Sequence, residues 1–240
     1  MLIYEQLKKN ARKFVSLTSL SPEEFEYLLP AFEQAYRQVF PDSKTKTGQK
    51  RERKSGGGRK GALASIEQKL LFALVYQKSY LVQSIMGELF GISQPQANEW
   101  IHRLLPVLKQ ALDDLGYVPE RDPKKFKKSE QGQKDATHAI IDGTERRRQR
   151  PKDAKKQALY YSGKKKIHSE KNVVIATVKK KRVSYLSQTY PGKTHDKKVA
   201  ETENIAYPEH MILLKDTGFQ GYEPKVHKTV QPKKSHARKN

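Results

Sequence analysis

Residues 81–105 read LVQSIMGELFGISQPQANEWIHRLL, and this stretch decides the fold of the N-terminal half. Apolar residues at helical spacing lead up to Gly91, and a second set follows between Ala97 and Leu105. Glycine permits a tight turn between two helices, and Ile92 can fill the angle between them. The stretch therefore predicts a helix-turn-helix. Its second helix would offer polar side chains to the base edges of DNA: Ser93, Gln94, Gln96 and Asn98.

The net charge of the chain favours a nucleic-acid partner. Lys and Arg total 48 against 26 for Asp and Glu, which gives a formal charge of +22 over 240 residues. Such an excess draws a protein to a polyanion through the release of counterions. A plain three-helix bundle would share the apolar spacing around Gly91, so the charge is what favours DNA recognition. An RNA-binding protein is the alternative that the charge alone leaves open.

Several classes of protein are excluded by composition. The chain contains no cysteine, which excludes disulfides, zinc fingers and thiol catalysis. No run approaches the roughly 18 apolar residues of a membrane span, and the first residues do not form a signal peptide. We therefore expect a soluble intracellular protein with no membrane partner.

Capping motifs and composition divide the chain into five segments. Ser21 and Glu24 form a capping box before one amphipathic helix. Ser65 and Gln68 form a second capping box, and Pro106 is expected to break or restart a later helix. The predicted segments are a helical segment at 1–43, a basic glycine-rich linker at 44–64, the helix-turn-helix domain at 65–116, a linker at 117–135 and a sheet domain at 136–240.

The basic linker contains three consecutive glycines, Gly56 to Gly58, followed by Arg59 and Lys60. It has almost no apolar residue, so it cannot form a core. Two interpretations stay open: the linker is a solvated spacer, or Arg59 and Lys60 hold DNA phosphates beside the helix-turn-helix.

Beyond residue 135 the helical periodicity gives way to short β-prone runs. The predicted strands are 139–141, 158–161, 173–178, 183–187 and 211–214, with a helix over Asp196–Glu203. The predicted fold class is therefore multidomain, with an all-α helix-turn-helix region followed by an α/β or α+β domain.

Two of the predicted strands end alike. Asp142 follows Ile140 and Ile141, and Asp216 follows a similar apolar strand. Adjacent strands would bring both carboxylates to one point, and Mg²⁺ prefers oxygen ligands. Two such ions can activate a water or a 3′-hydroxyl and stabilise the leaving oxygen of a phosphodiester. The alternative is that each aspartate only bonds to its own backbone.

Seven short motifs, taken in order, resemble those of one family. They are Ser21-Pro22-Glu23-Glu24-Phe25, Gly56-Gly57-Gly58-Arg59, Leu89-Phe90-Gly91-Ile92-Ser93-Gln94, Asp142-Gly143-Thr144-Glu145, Tyr161-Ser162-Gly163-Lys164-Lys165-Lys166, Pro191-Gly192-Lys193-Thr194-His195-Asp196 and Asp216-Thr217-Gly218-Phe219-Gln220-Gly221-Tyr222. Over nearly the whole chain, the order resembles insertion-sequence transposases of the DDE superfamily. These proteins place a helix-turn-helix before a ribonuclease-H-like catalytic domain.

The resemblance implies roles for both aspartates. Asp142 and Asp216 would be the first and second catalytic carboxylates and would bind Mg²⁺, or Mn²⁺ in its place, in a two-ion site. The implied reaction is cleavage of double-stranded DNA at the terminal inverted repeats of a transposable element, with strand transfer to target DNA. The resemblance also implies a cytoplasmic, nucleoid-associated bacterial protein, with homo-oligomerisation left open.

One feature of the family is not matched. The family's third carboxylate is a glutamate on a helix after the second aspartate, whereas this chain ends at Asn240. None of four later glutamates occupies that position: Glu201, Glu203, Glu209 and Glu223. We therefore expect a truncated chain or a frameshift first product, with an incomplete α/β domain and a downstream-frame product carrying the third carboxylate. The chain is then a transposase when completed, or alternatively an inactive end-binding protein or repressor.

Two basic clusters flank the first aspartate and a later strand. They comprise Arg146, Arg147, Arg148, Lys164, Lys165 and Lys166. Dense like charge is costly without a polyanion, so phosphate contact is favoured over a solvated edge. His168 and His195 match family positions, and their roles are left open.

Overall fold

The computed structural model describes residues 1–43, 49, 50, 52, 61–129 and 137–232. The chain divides into two compact units, Met1–Val118 and Pro119–Asn240. Arg59 and Lys60 lie outside the described residues, so both interpretations of the basic linker stay predictions. No described helix is long and apolar enough to cross a membrane.

The first unit is helical and has one apolar core. Its helices are α1 (Tyr4–Leu7), α2 (Ala11–Thr18), α3 (Pro22–Val39), α4 (Ile66–Ser79), α5 (Gln83–Phe90) and α6 (Gln94–Asp114). The Tyr4 ring stacks on Phe25 with centroids 4.9 Å apart, and Phe14 packs edge-on against Phe25. Phe25 and Phe72 are both fully buried in this core. The helices within 1–43 and those of the helix-turn-helix therefore share a single interior.

The two predicted capping motifs behave differently. At α3, the Ser21 hydroxyl accepts from the Glu24 N–H at 3.2 Å, and the Glu24 carboxylate accepts from the Ser21 N–H at 2.8 Å. At α4, Ser65 accepts from the Gln68 N–H at 3.1 Å. The predicted reciprocal bond is wrong, because the Gln68 side-chain oxygen instead accepts from the Tyr4 N–H at 3.0 Å. A contact from the N-terminus has replaced the local one.

The predicted helix-turn-helix is formed by α5, a turn at Gly91 and α6. Gly91 ends α5 in the left-handed region with φ +65°. The Ile92 N–H then donates to the Gly87 carbonyl at 3.0 Å. Gly87 itself must lack a side chain, because a Cβ there would lie 2.6 Å from the Ile92 carbonyl oxygen. Two glycines therefore allow the close approach that the turn requires.

Two helix boundaries differ from the sequence prediction. We expected α5 to start near Tyr80, but Tyr80 ends α4 with φ +47°, which delays the next helix to Gln83. We also expected a break at Pro106, yet α6 runs unbroken through it. An interior proline costs about 3 kcal/mol. Burial of an aliphatic side chain contributes about 1.5–3 kcal/mol, and buried residues lie on both sides of the proline: Ile101, Leu104, Val107 and Leu108.

The second unit is a mixed sheet with helices, which confirms the predicted α/β class. Its elements are β1 (His138–Arg147), α7 (Ala154–Tyr160), β2 (Tyr161–Ser162), β3 (Ile167–Thr177), β4 (Arg182–Leu186), β5 (Tyr190–Pro191), α8 (Asp196–Glu203), β6 (Ile212–Lys215) and β7 (Lys228–Val230). The sheet order is β2-β3-β1-β6-β7, and β4 and β5 also pair with β3. Strand β1 is antiparallel to β3 and parallel to β6, and β6 is parallel to β7.

One predicted strand of this unit is wrong. Residues 158–161 lie mostly in α7, and only Tyr161 belongs to a strand. The helix begins because the Asp153 side chain caps it by accepting from the Lys156 N–H at 2.8 Å. The predicted helix over Asp196–Glu203 is confirmed as α8.

The residues of β1 alternate between two faces of the sheet. Ala139 and Ile141 are buried and belong to the same core as Val199 of α8. Ile140 and Asp142 point the other way and are exposed. We call these the helix face and the open face.

A buried carboxylate anchors the end of α8. The Tyr190 hydroxyl donates to Glu203 at 2.7 Å, the Gln188 N–H donates at 3.2 Å, and the Tyr185 hydroxyl also donates. Burial and the bond to Glu203 raise the pKa of Tyr190 to about 12 and also raise the pKa of Tyr185. The network ties α8 to β4 and β5, and so fixes the helix whose first residue is Asp196.

Candidate active site

The pairing of β1 with β6 brings the two predicted aspartates to neighbouring positions. Ile141 pairs with Lys215, and Asp142 and Asp216 are the next residues along these parallel strands. Asp216 directly follows β6, as the sequence predicts. Asp142 differs, because β1 continues beyond it to Arg147 in its pairing with β3. Both aspartates are exposed.

Each aspartate also bonds to nearby backbone. Asp142 Oδ1 accepts from the Gly143 N–H at 2.7 Å, and Asp216 Oδ1 accepts from the Gly218 N–H at 2.8 Å. The local bonding that was the alternative to a cation site is therefore present. It engages Oδ1 of each carboxylate and leaves both side chains exposed, so it does not exclude cation binding.

A third aspartate, Asp196, approaches the same place from the helix face. A Cβ at Gly143 would overlap its carboxylate and lie 2.6 Å from its Cγ. A Cβ at Gly218 would lie 3.2 Å from Asp196 Oδ2 and 3.0 Å from Asp216 Oδ1. We call the space left by Gly143 and Gly218 the glycine gap. It leaves room for the Asp196 carboxylate, and Asp216 Oδ1 borders it at Gly218.

Sequence reasoning did not single out Asp196 as a site residue. It placed Asp196 only at the start of a helix and within one of the motifs of the resemblance. Asp196 is identified by its close contact with Gly143, and this contact depends on how α8 packs against β1. The spacing of residues along the chain does not contain that information.

A lysine lies beside Asp196. Lys171 Nζ is 3.1 Å from Asp196 Oδ1 and donates to the Thr194 carbonyl at 2.9 Å. Only 11% of the Lys171 side chain is exposed. Lys171 is also the cross-strand partner of Glu145, so both lie on the helix face near Asp196.

Glu145 is held in its charged form. Burial opposes its ionisation, but contacts with Ser162 and Ser169 and the charges of Lys171 and Lys165 outweigh burial and lower the pKa of Glu145. A polar cavity of about 240 Å³ opens at this point. Its lining includes Asp142, Glu145, Asp196, Lys164, Lys165 and Lys171.

The donor chemistry fits a hard divalent cation, although the described residues do not assemble a ready site. No three His, Asp or Glu side chains among the described residues are grouped so as to hold a metal ion. Asp196 Oδ1, however, is buried and accepts no hydrogen bond within the described part of the chain. The other oxygen of Asp196 borders the glycine gap at Gly218, as Asp216 Oδ1 also does. Carboxylate oxygens of this kind are the ligands that Mg²⁺ and Mn²⁺ favour.

The four glutamates of this unit that the sequence raised as acids after Asp142 are engaged elsewhere. Glu203 is the buried anchor of α8. Glu201 lies 3.5 Å from Lys197, Glu209 lies 2.6 Å from Lys127, and Glu223 lies 2.7 Å from Lys215.

The predicted basic clusters lie near this end of the sheet. Arg146 donates to the Asn172 side chain at 3.0 Å. Arg148 pairs with Glu170 at 2.8 Å and lies over the Tyr160 ring, 3.9 Å from its centroid. The other members are exposed: Arg147, Lys164, Lys165 and Lys166. Lys164 and Lys165 line the polar cavity, which brings these two lysines together with Asp142.

Neither His168 nor His195 belongs to a group of side chains that could hold a metal ion in the part of the chain that the structure describes. His168 packs edge-on against Tyr161 with ring centroids 5.6 Å apart. His195 precedes α8 without a side-chain capping bond. Their roles stay open.

The predicted DNA-reading residues lie at the start of α6. Ser93 and Gln96 form a capping box, in which the Gln96 side-chain oxygen accepts from the Ser93 N–H at 3.0 Å. Gln94 is exposed and donates to the Gln83 side chain on α5. Asn98 is half-buried. Ser93 and Gln96 are thus partly engaged in starting the helix, while Gln94 points outward from it.

Family models match both units. Residues 61–114 match the helix-turn-helix of DDE superfamily endonuclease, and residues 141–240 match DDE superfamily endonuclease. A helix-turn-helix region followed by a ribonuclease-H-like α/β domain is therefore the class that the fold and these matches define.

A relative among curated proteins makes the assignment more specific. The chain is 23% identical over 228 residues to a probable transposase for insertion sequence element IS702 from Microchaete diplosiphon, and the match covers 95% of this chain and 73% of the relative. No solved structure matches. The chain belongs to the insertion-sequence transposases of the DDE superfamily that carry an N-terminal helix-turn-helix.

Proposed function

We propose that this chain binds the terminal inverted repeats of its own insertion sequence and cleaves DNA there in a divalent-cation-dependent reaction. The supporting observation is the register that sets Asp142 beside Asp216 at the end of two parallel strands. We infer that the protein acts on nucleoid DNA in the cytoplasm, and that strand transfer to target DNA follows cleavage.

Asp142 and Asp216 would hold the cation, for which Mg²⁺ is the natural choice and Mn²⁺ a substitute. Once bound there, the cation would activate the attacking water or 3′-hydroxyl and stabilise the leaving oxygen of the phosphodiester. Lys164 and Lys165 would bind the phosphates of the DNA backbone at the polar cavity, and the exposed Arg147 would extend this contact.

The helix-turn-helix would supply sequence recognition. Gln94 and Asn98 lie in the first turns of α6, where the second helix of such a motif meets base edges in the major groove. Glutamine and asparagine can pair with adenine through two hydrogen bonds. Ser93 and Gln96 would contribute mainly by fixing where the helix starts.

Cleavage tests the catalytic assignment. Duplexes carrying the DNA that flanks the encoding gene are incubated with the chain and Mg²⁺ or Mn²⁺, and nicks are mapped on sequencing gels. We expect Asp142→Asn and Asp216→Asn to abolish nicking while leaving binding within about twofold. Asp153→Asn is the matched control, because asparagine can still cap α7. Nicking that survives in Asp142→Asn would show that the site assignment is wrong.

Binding tests the recognition assignment. We expect the flanking duplex to bind more tightly than a shuffled duplex at matched salt, and Gln94→Ala to reduce that preference about tenfold, as the loss of a base contact does. Gln110→Ala, near the C-terminal end of α6, is the control and should leave the preference unchanged. Equal affinity of the wild-type chain for both duplexes would contradict end recognition.

A further inference from the structure

We infer that a groove between α7 and the β2–β3 turn binds one unpaired nucleotide of a DNA strand. The base would stack on Tyr161, and a phosphate would lie against Arg150 and Lys193. The groove has a volume of about 750 Å³, within the range of about 300–1,000 Å³ that is usual for ligand sites. We call it the α7 groove, and its lining includes Arg150, Gln157, Tyr161, Gly163, His168 and Lys193.

Tyr161 gives the α7 groove an aromatic surface. It is 43% exposed, although its cross-strand partner His168 contacts the ring edge-on. The neighbouring lining residues Ala154 and Ala158 are small, and a Cβ at Gly163 would meet no heavy atom of the described residues within 4 Å. An exposed ring beside open space suits a nucleobase, because every base has a π face that can stack.

Two cations border the same groove. The Gln157 side-chain oxygen accepts from Arg150 Nε at 3.0 Å and from Nη2 at 2.8 Å, so the guanidinium is oriented without a ligand. Lys193 is exposed at the groove. In the part of the chain that the structure describes, no acidic residue lines the groove. An aromatic ring with two cations and no acid matches the chemistry of a base joined to a phosphate.

The β2–β3 turn links the α7 groove to the polar cavity. Gly163 lines the groove, and the next two residues, Lys164 and Lys165, line the cavity together with Asp142. The choice of a DNA strand over a free nucleotide rests on the proposed function, which places DNA phosphates at these two lysines. A strand that passes them can place an adjoining nucleotide in the groove. Its base can stack on Tyr161 only after leaving its own partner, so the nucleotide would be unpaired.

The test compares two duplexes of one sequence, one blunt and one with a short single-stranded overhang, bound by the whole chain in EDTA. Fluorescence anisotropy gives both affinities, and their ratio is the overhang preference. We expect a wild-type preference of about tenfold, as one stacked base can supply, and its loss in Tyr161→Ala. Tyr161→Phe keeps the ring and should retain the preference. Leu159→Ala is the matched control, because Leu159 is 48% exposed on α7 and does not line the groove.

Salt dependence tests the phosphate contact. Lys193→Met should reduce the slope of log affinity against log salt by about 0.7 for the overhang duplex, the value for one phosphate of a single strand. The slope for the blunt duplex should stay the same. Lys198→Met, at an exposed position on α8, should change neither slope. An unchanged slope for the overhang duplex in Lys193→Met would contradict a phosphate in the α7 groove.

The outcomes separate this inference from the proposed function. Equal wild-type affinity for the two duplexes, or a preference that survives in Tyr161→Ala, would overturn the α7 groove as a nucleotide site and leave end binding intact. Loss of the preference in Tyr161→Phe would overturn stacking as its cause.

Two further probes test the source of the nucleotide. Deoxyadenosine monophosphate that binds as tightly as the overhang, and depends on Tyr161, would overturn the choice of a strand. An RNA overhang that binds more tightly than the DNA overhang would overturn the choice of DNA. A wild-type chain that binds neither duplex would overturn the proposed function and this inference with it.

Discussion

The helical unit and the sheet unit differ in how many polar side chains they bury. Among the described residues, the helical unit buries three polar or charged side chains and the sheet unit buries eight. Helices satisfy their own backbone, so apolar side chains can fill the space between them. Loops do not satisfy their own backbone N–H and C=O groups in this way. In the sheet unit, buried polar side chains form hydrogen bonds with the loop backbone instead. Asn172, for example, donates to the Ser187 carbonyl at 3.0 Å and to the Gln188 carbonyl at 2.9 Å.

The comparison teaches where each unit is vulnerable. One of the loops that a buried polar group holds in the sheet unit directly follows Asp216. Lys215, directly before Asp216, is buried and donates to the Tyr222 carbonyl and to Glu223. The stability of the sheet unit should therefore depend on pH and on single hydrogen bonds. The stability of the helical unit should depend on the volume of its buried apolar side chains.

The largest expected effect is Phe25→Ala in the helical unit. Phe25 is fully buried between Tyr4 and Phe14, so its loss should lower the free energy of unfolding by about 3–5 kcal/mol. Trp100 is the single tryptophan of the chain and packs against this core, so its fluorescence in urea reports the unit selectively. Tyr27→Ala, at a position 62% exposed, should change little. A similar loss of unfolding free energy in Phe25→Ala and Tyr27→Ala would contradict the conclusion that buried apolar volume stabilises the helical unit.

A smaller effect is expected from Tyr185→Phe in the sheet unit. It removes one donor to the buried Glu203 without changing volume, which should cost about 1.5–3 kcal/mol, as for hydrogen bonds to charged groups. Amide hydrogen exchange of peptides from β4 and α8, read by mass spectrometry, measures the loss. Tyr161→Phe, at an exposed position, is the control. Unchanged exchange in Tyr185→Phe would show that apolar packing also dominates here.

The smallest expected effect is an alkaline loss of stability around Glu203. The folded-state pKa of Tyr190 is raised from 10.0 to about 12, chiefly by burial and then by Glu203. A raised pKa favours the neutral form in the folded state, so its stabilising contribution is fully present below pH 10 and is lost as the pH rises towards 12. Tyr190→Phe should therefore show a shallower decline in urea midpoint over this range. Parallel declines in both proteins would contradict the network.

Local patterns predicted much of the helical unit and of α8. The capping box of Ser21 and the turn at Gly91 depend on bonds between residues close in sequence, and both were predicted. Gln68 was mispredicted because its partner is Tyr4, far along the chain. Pro106 was mispredicted because the helix gains more from burial than it loses in one bond.

The sequence predicted only part of the candidate site, because only part of it depends on residues close together in the chain. Asp142 and Asp216 could be proposed because each follows an apolar run, and the register sets them side by side. Asp196 could not, because its approach depends on the absence of a side chain at Gly143 and Gly218, which is visible only once the sheet has formed. Asp153 capping α7 likewise outweighed the β-prone run that follows it.

Side chains of β1 alternate between the two faces of the sheet, so the face on which Asp142 lies depends on whether an odd or an even number of residues precedes it in the strand. Inserting one residue into the strand ahead of Asp142 would turn its carboxylate towards α8 and fill the space kept empty by Gly143. Inserting two would return every side chain to its own face. Odd and even changes in length would therefore have opposite consequences, although both leave each short motif intact. In this strand the number of residues therefore determines the placement of Asp142 as much as the identity of the residues does.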